Sequence, residues 1–223
     1  MPAPVDEEGG RFCHTMLVLV DAAKDNYAKL REALAEDDQI RMAWACRNLL
    51  EIAIFSRYVL ISPEKAKQFT DDRLIDDLEI GKALRKLEED ARKNRIASGA
   101  GDALPGLDKP DGPFDADGII QEFTKKMAEE GVSPRKPLRT SDLAKVVGLQ
   151  DDYEAMNKVC SKLVHPMAWS LFTAEAGTKR FSGASEIFFM CGALYRSMIY
   201  GEFMPHVRNG ASVTSRPFRL RSF

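Results

Sequence analysis

Between residues 11 and 36 the apolar positions fall at helical spacing: Phe12, Met16, Leu19 and Val20, then Tyr27, Leu30 and Leu34. Steps of three and four residues place one face of a helix against a core. The acidic run at 36–38 supplies a turn and an N-cap for the next element. Residues 39–61, QIRMAWACRNLLEIAIFSRYVLI, are apolar nearly all round, the pattern of a helix covered on several sides. This helix is expected at the centre of the fold. Ser62, Pro63 and Glu64 form a helix start, with proline at the first helical position, where its missing N–H costs nothing. From Asp71 to Ile96 a highly charged helical pattern carries Leu74, Leu78, Leu84 and Leu87 along one side, and its charges read as a solvated face.

Residues 98–118, SGAGDALPGLDKPDGPFDADG, are too rich in Gly, Pro and Asp to sustain a helix or strand and are expected to form a loose loop insertion. A short helix over 119–130 stops at Gly131, and 131–138 is an extended link. A second short helix follows, then a break at Gly148, a helix running to His165, and a last, aromatic helix from 183 to about 206. Its aromatic set, with Phe181 just before it and Phe188, Phe189, Tyr195, Tyr200 and Phe203 within, is expected in the core or at a dimer surface. No segment alternates as a strand does. The expected fold is all-α: one helical bundle over 11–206 of about six or seven helices. A flexible leader is expected at 1–10. The tail 207–223, with Arg208, Arg216, Arg219 and Arg221 and no acid, is expected to be basic and loose or partner-dependent.

With 223 residues, 44% hydrophobic and 30% charged, the composition is that of an ordinary soluble globular protein. A net charge of −2 argues against bulk electrostatic capture of nucleic acid or anionic membrane. Cys13, Cys46, Cys160 and Cys191 lack metal-ligand spacing, so they read as reduced, small core residues of a cytoplasmic protein, with no metal and no cofactor implied. The acidic N-terminus is unlike a signal peptide. The most apolar late segment, IFFMCGALYRSMIY, contains Arg196 and is shorter than the ~20 residues of a membrane span. Walker, Rossmann, H-E-x-x-H, G-x-S-x-G and paired E-x-x-H signatures are all missing from the sequence.

The candidate chemistry lies on two helices. Asn157, Ser161 and His165 stand four apart on one polar line, while Val159, Leu163 and Val164 are expected to face a core. Pro166 kinks or ends the helix beside the histidine and frees a carbonyl. On the central helix, Arg47, Asn48 and Glu51 interrupt an apolar run, with Arg47 and Glu51 spaced to pair. Such charges need partners, since a lone buried ion costs several kcal/mol. The two helices are therefore expected to face each other, gathering Arg47, Asn48, Glu51 and His165 into a polar cluster with Tyr153, Asn157 and Ser161 at its edge. As structure, the cluster fixes helix register. As chemistry, Glu51 orients His165 for acid–base work and Arg47 binds an anion such as phosphate.

The segments RNLLEIAIFSRYVLISPEKAKQF and VGLQDDYEAMNKVCSKLVHP resemble the signature segments of an uncharacterised, mostly bacterial helical family. Its Arg-x-x-x-Glu helix corresponds here to Arg47 and Glu51, and its Tyr-to-Ser-to-His-Pro helix to Tyr153, Ser161, His165 and Pro166. More distantly, a polar helix ending in histidine is similar to the HEPN superfamily, although the basic residue ahead of His165 is Lys158 and the Arg47–Asn48 pair lies on another helix. That resemblance implies metal-independent cleavage of RNA, or another reaction on a nucleotide phosphodiester. The alternative is a non-catalytic module that binds a protein or small ligand, with homo-oligomerisation through the last helix. Reading of DNA is not favoured. SDLAKVVGL is similar to the start of a helix-turn-helix, but the helix that follows looks half-buried rather than exposed and basic.

Overall fold

A computed structural model describes residues 7–98, 116–164 and 183–208. All seven elements found there are helices, and among the described residues there is no strand. They are α1 (Glu7–Ala35), α2 (Gln39–Ile61), α3 (Pro63–Ser98), α4 (Ala116–Glu129), α5 (Thr140–Val146), α6 (Gln150–Val164) and α7 (Ala184–Arg208). The all-α expectation is met. Where the sequence pattern suggested one domain, the chain gathers into two compact units, Met1–Phe69 with Arg139–Phe223, and Thr70–Leu138.

In the first unit α2 packs against α1, α5, α6 and α7. That placement explains its apolar composition, since Cys46, Leu49, Ile54 and Val59 are all fully enclosed. The turn before it closes as the acidic run foretold: Asp38 accepts a hydrogen bond from the Arg41 amide at 3.0 Å, and Asp37 takes a left-handed conformation with φ 54°. Ser62 ends α2 in an extended conformation and caps α3, accepting from the Lys65 amide. The same hydroxyl, with backbone help, holds the exposed Glu64 carboxyl below its usual value. α7 buries Phe188, Tyr195, Ile199 and Phe203 along one face, while Phe189 and Tyr200 are half-buried and Phe181 lies outside the described residues.

The second unit holds most of α3 with α4. Leu74, Ile75, Met127 and Val132 form its buried core, flanked by Leu78 and Phe123. Leu87 is 65% exposed, so the expected leucine side ends before it. One acid in the charged stretch is not solvated: buried Asp72 pairs with Arg135 and accepts from the Leu138 amide at 2.9 Å. That contact draws together the two ends of the unit. The neighbouring Asp76 carboxyl is pushed up by burial and by the charges of Asp72 and Asp77, against the pull of Arg135. At Gly131 the chain turns with φ 67°, and the Val132 amide closes on the Met127 carbonyl at 2.8 Å, a helix end that favours glycine.

Three boundaries differ from the sequence expectation. α1 begins at Glu7, inside the expected leader, because nothing in EEGG stops a helix from extending outward from a packed stretch. α4 starts at Ala116, three residues earlier than the pattern indicated, and α7 continues through Pro205 to Arg208. The remainder of the 98–118 loop, from 99 to 115, and the tail beyond 208 lie outside the described residues.

Candidate functional site

α2 and α6 pack against each other. Their closest polar contact is the Cys160 thiol, which donates to the Ala43 carbonyl at 3.2 Å. Beside it Arg47 Nε donates to Glu51 Oε1 at 3.0 Å, closing the expected pair one turn apart. The two side chains are 31% and 25% exposed, so the pair sits at the edge of the seam rather than inside it. Burial pushes the Cys160 thiol up to about 11, with Arg47 pulling it down and Glu51 pushing it up. A thiol so raised stays protonated at neutral pH and is a poor nucleophile.

α6 turns Met156, Cys160 and Leu163 inward, and Tyr153, Asn157 and Ser161 run half-buried along the adjoining edge. At about 100° per residue this polar line lies just past Cys160, as Arg47 and Glu51 lie just past Ala43 on α2. α7 contacts α2 through the Arg57–Glu202 pair and α6 through Asp152, which accepts from the Tyr195 hydroxyl at 3.4 Å. Arg47 and Glu51 lie near enough to Cys160 for their charges to act on its thiol, which puts the pair beside the α2–α6 seam. α2 thus carries one cation and one carboxylate at this seam, and α6 carries a half-buried amide and hydroxyl at Asn157 and Ser161.

One expected member stands apart from it. Asn48 turns to α1, where its Nδ2 donates to Asn26 Oδ1 at 3.1 Å while Asn26 bonds the Ala22 carbonyl, because one residue past Arg47 carries a side chain about a quarter-turn further round the helix. It belongs to the α1–α2 interface. His165 and Pro166 lie outside the described residues. Val159 is 44% exposed and does not face the core; Met156 and Cys160 take that place, which shifts the buried face of α6 toward α2.

The sequence pattern missed a buried ion pair. Arg57 reaches across to Glu202 on α7, with Nη2 at 2.7 Å from Oε1 and Nε at 3.0 and 3.2 Å from the two carboxylate oxygens. The available signal was a lone arginine in IAIFSRYVLI and a lone acid in the second half of the last helix. Cys46, Cys160 and Cys191 come from α2, α6 and α7 into one neighbourhood, where burial first and mutual repulsion second raise the Cys46 thiol. Burial and Asp152 likewise raise Tyr195. Among the described residues no group of three or more His, Cys, Asp or Glu is placed to hold a metal ion, and no helix is long and apolar enough to cross a membrane. The chain matches no protein-family model, no curated protein and no solved structure.

Proposed function

We propose that this protein is a non-catalytic helical binding module that pairs with a second copy of itself through α7. The observation that carries this reading is the outer face of α7. Ile187, Met190 and Leu194 are 57%, 66% and 57% exposed on a helix whose opposite face fills the core. A helix apolar on both faces needs something to cover the outer one. The open positions Ile187, Met190, Leu194, Ser197 and Gly201 follow alternating steps of three and four, the spacing of a coiled-coil seam.

That stripe tapers, large at its N-terminal half and small at its C-terminal half, which suits a second copy of itself. Two copies laid antiparallel about Leu194 bring Ile187 of each against Gly201 of the other, and Met190 against the neighbourhood of Ser197. A Cβ added at Gly201 would meet nothing within 4 Å, so there is room for the incoming isoleucine. Charge fits the same pattern. Between Ile187 and Gly201 the one charged residue, Arg196, is stacked on Tyr27 and Tyr200 instead of standing in the stripe.

Sedimentation equilibrium on the full chain is expected to give a dimer, and Leu194→Glu a monomer of unchanged helix content. A wild-type monomer at every concentration, or a Leu194→Glu dimer, overturns the reading.

A second reading, RNA- or nucleotide-directed phosphodiester chemistry, draws support from the α2–α6 edge. There Arg47 and Glu51 are bonded, and Asn157 and Ser161 lie on the facing helix. In that reading Arg47 stabilises phosphate charge, and Glu51 orients His165 as acid or base. Incubated with mixed cellular RNA in EDTA, wild type would cleave, and His165→Ala and Arg47→Ala of equal stability would not. Intact RNA after wild-type treatment, or cleavage unchanged in the variants, removes it.

A further inference from the structure

We propose that Arg196, held between Tyr27 and Tyr200, is an oxyanion-binding residue for a phosphoryl or carboxylate group. Its guanidinium carbon lies 4.6 Å from the Tyr27 ring centre and 4.8 Å from that of Tyr200. Tyr27 comes from α1 and is itself steadied by Phe189, with ring centres 6.1 Å apart and planes inclined by 34°. Tyr200 stands one turn along α7 from the arginine. Two rings therefore hold the guanidinium without using any of its N–H groups.

Arg196 Nε is buried and has no hydrogen-bond partner, a condition it shares among the described side chains only with Ser56 Oγ. Among the described residues every other arginine buried to a similar degree is matched by an acid: Arg47 by Glu51, Arg57 by Glu202, Arg135 by Asp72. A buried donor left unbonded is costly, so its retention beside two aromatic rings marks a place where the missing acceptor comes from outside. The chemistry that fits is a group with two oxygens side by side. One accepts from Nε–H and the other from an adjacent Nη–H, the fork geometry arginine makes with carboxylate and phosphate. The stacking has already removed most of the side chain's freedom, so little more is lost on binding. The site faces α1 and stands whether or not α7 pairs with a second copy.

The test is a side-chain proton–nitrogen spectrum of the full chain, in which the Arg196 Nε–H signal is assigned by its loss in Arg196→Lys. Inorganic phosphate, sodium acetate and sodium chloride are titrated in turn. That signal is expected to move saturably with phosphate or acetate and not with chloride. Saturation with phosphate alone identifies a phosphoryl ligand, and saturation with acetate identifies a carboxylate. In calorimetry Arg196→Lys, which keeps the cation but loses the fork, is expected to bind the responding anion about tenfold or more weakly. A signal unmoved by both anions, or drifting linearly with all three salts, overturns the proposal. The titration itself is read on the wild-type chain, and the assignment holds when the other arginine Nε–H signals persist in Arg196→Lys.

Discussion

Arg57→Ala is expected to lower the melting temperature by roughly 10 °C, the consequence of losing about 3–5 kcal/mol when one partner of a buried ion pair is removed. The side chains of Arg57 and Glu202 are 8% and 20% exposed, and the guanidinium engages both carboxylate oxygens. Truncating the arginine leaves the largely buried Glu202 with its charge unmatched. The double variant Arg57→Met/Glu202→Leu is expected to recover most of the loss, because paired charges cost desolvation that apolar replacements avoid. Circular dichroism melting of the two variants decides the matter. A single variant that melts with the wild type would show that the pair is solvated in solution and holds nothing together.

That pair also marks where sequence pattern stops being informative. The helical elements were legible because each rests on spacing within one segment, as in the all-round apolar run of α2 or the proline start of α3. Arg47 with Glu51 was legible for the same reason, being one turn apart. Arg57 and Glu202 are 145 positions apart, and no local rule connects them. Asp72 was hidden differently: it lies in a stretch of many charges, and only the fold distinguishes the acid that reaches the Leu138 amide from its solvated neighbours. Asn48 failed through rotation, since three polar residues on one helix do not share a partner when they span different sectors. The clamp on Arg196 combines a near and a far residue, so half of it, Tyr200 one turn away, was readable and Tyr27 was not.

Gly192 carries the other large effect. It lies on the face of α7 that meets α1 and α2, and a Cβ added there would overlap Leu30 Cδ2 and approach Leu49 Cδ1 to 3.2 Å. Both leucines are fully buried and have no solvent to move into. Alanine would regain about 1 kcal/mol of helix propensity and lose ~1–3 kcal/mol to overpacking, so Gly192→Ala is expected to be neutral or mildly destabilising. Valine adds two methyl groups with little rotamer freedom, and Gly192→Val is expected to cost about 3 kcal/mol or more, roughly 10 °C of melting temperature. Leu30→Ala alone opens a cavity worth ~2–5 kcal/mol, but the methyl of Gly192→Ala would occupy part of it. The double variant Gly192→Ala/Leu30→Ala should therefore melt higher than the sum of the single losses, a favourable coupling read from a double-mutant cycle. Strict additivity would mean that the methyl and Leu30 never meet, and that α7 approaches α1 less closely than the glycine implies.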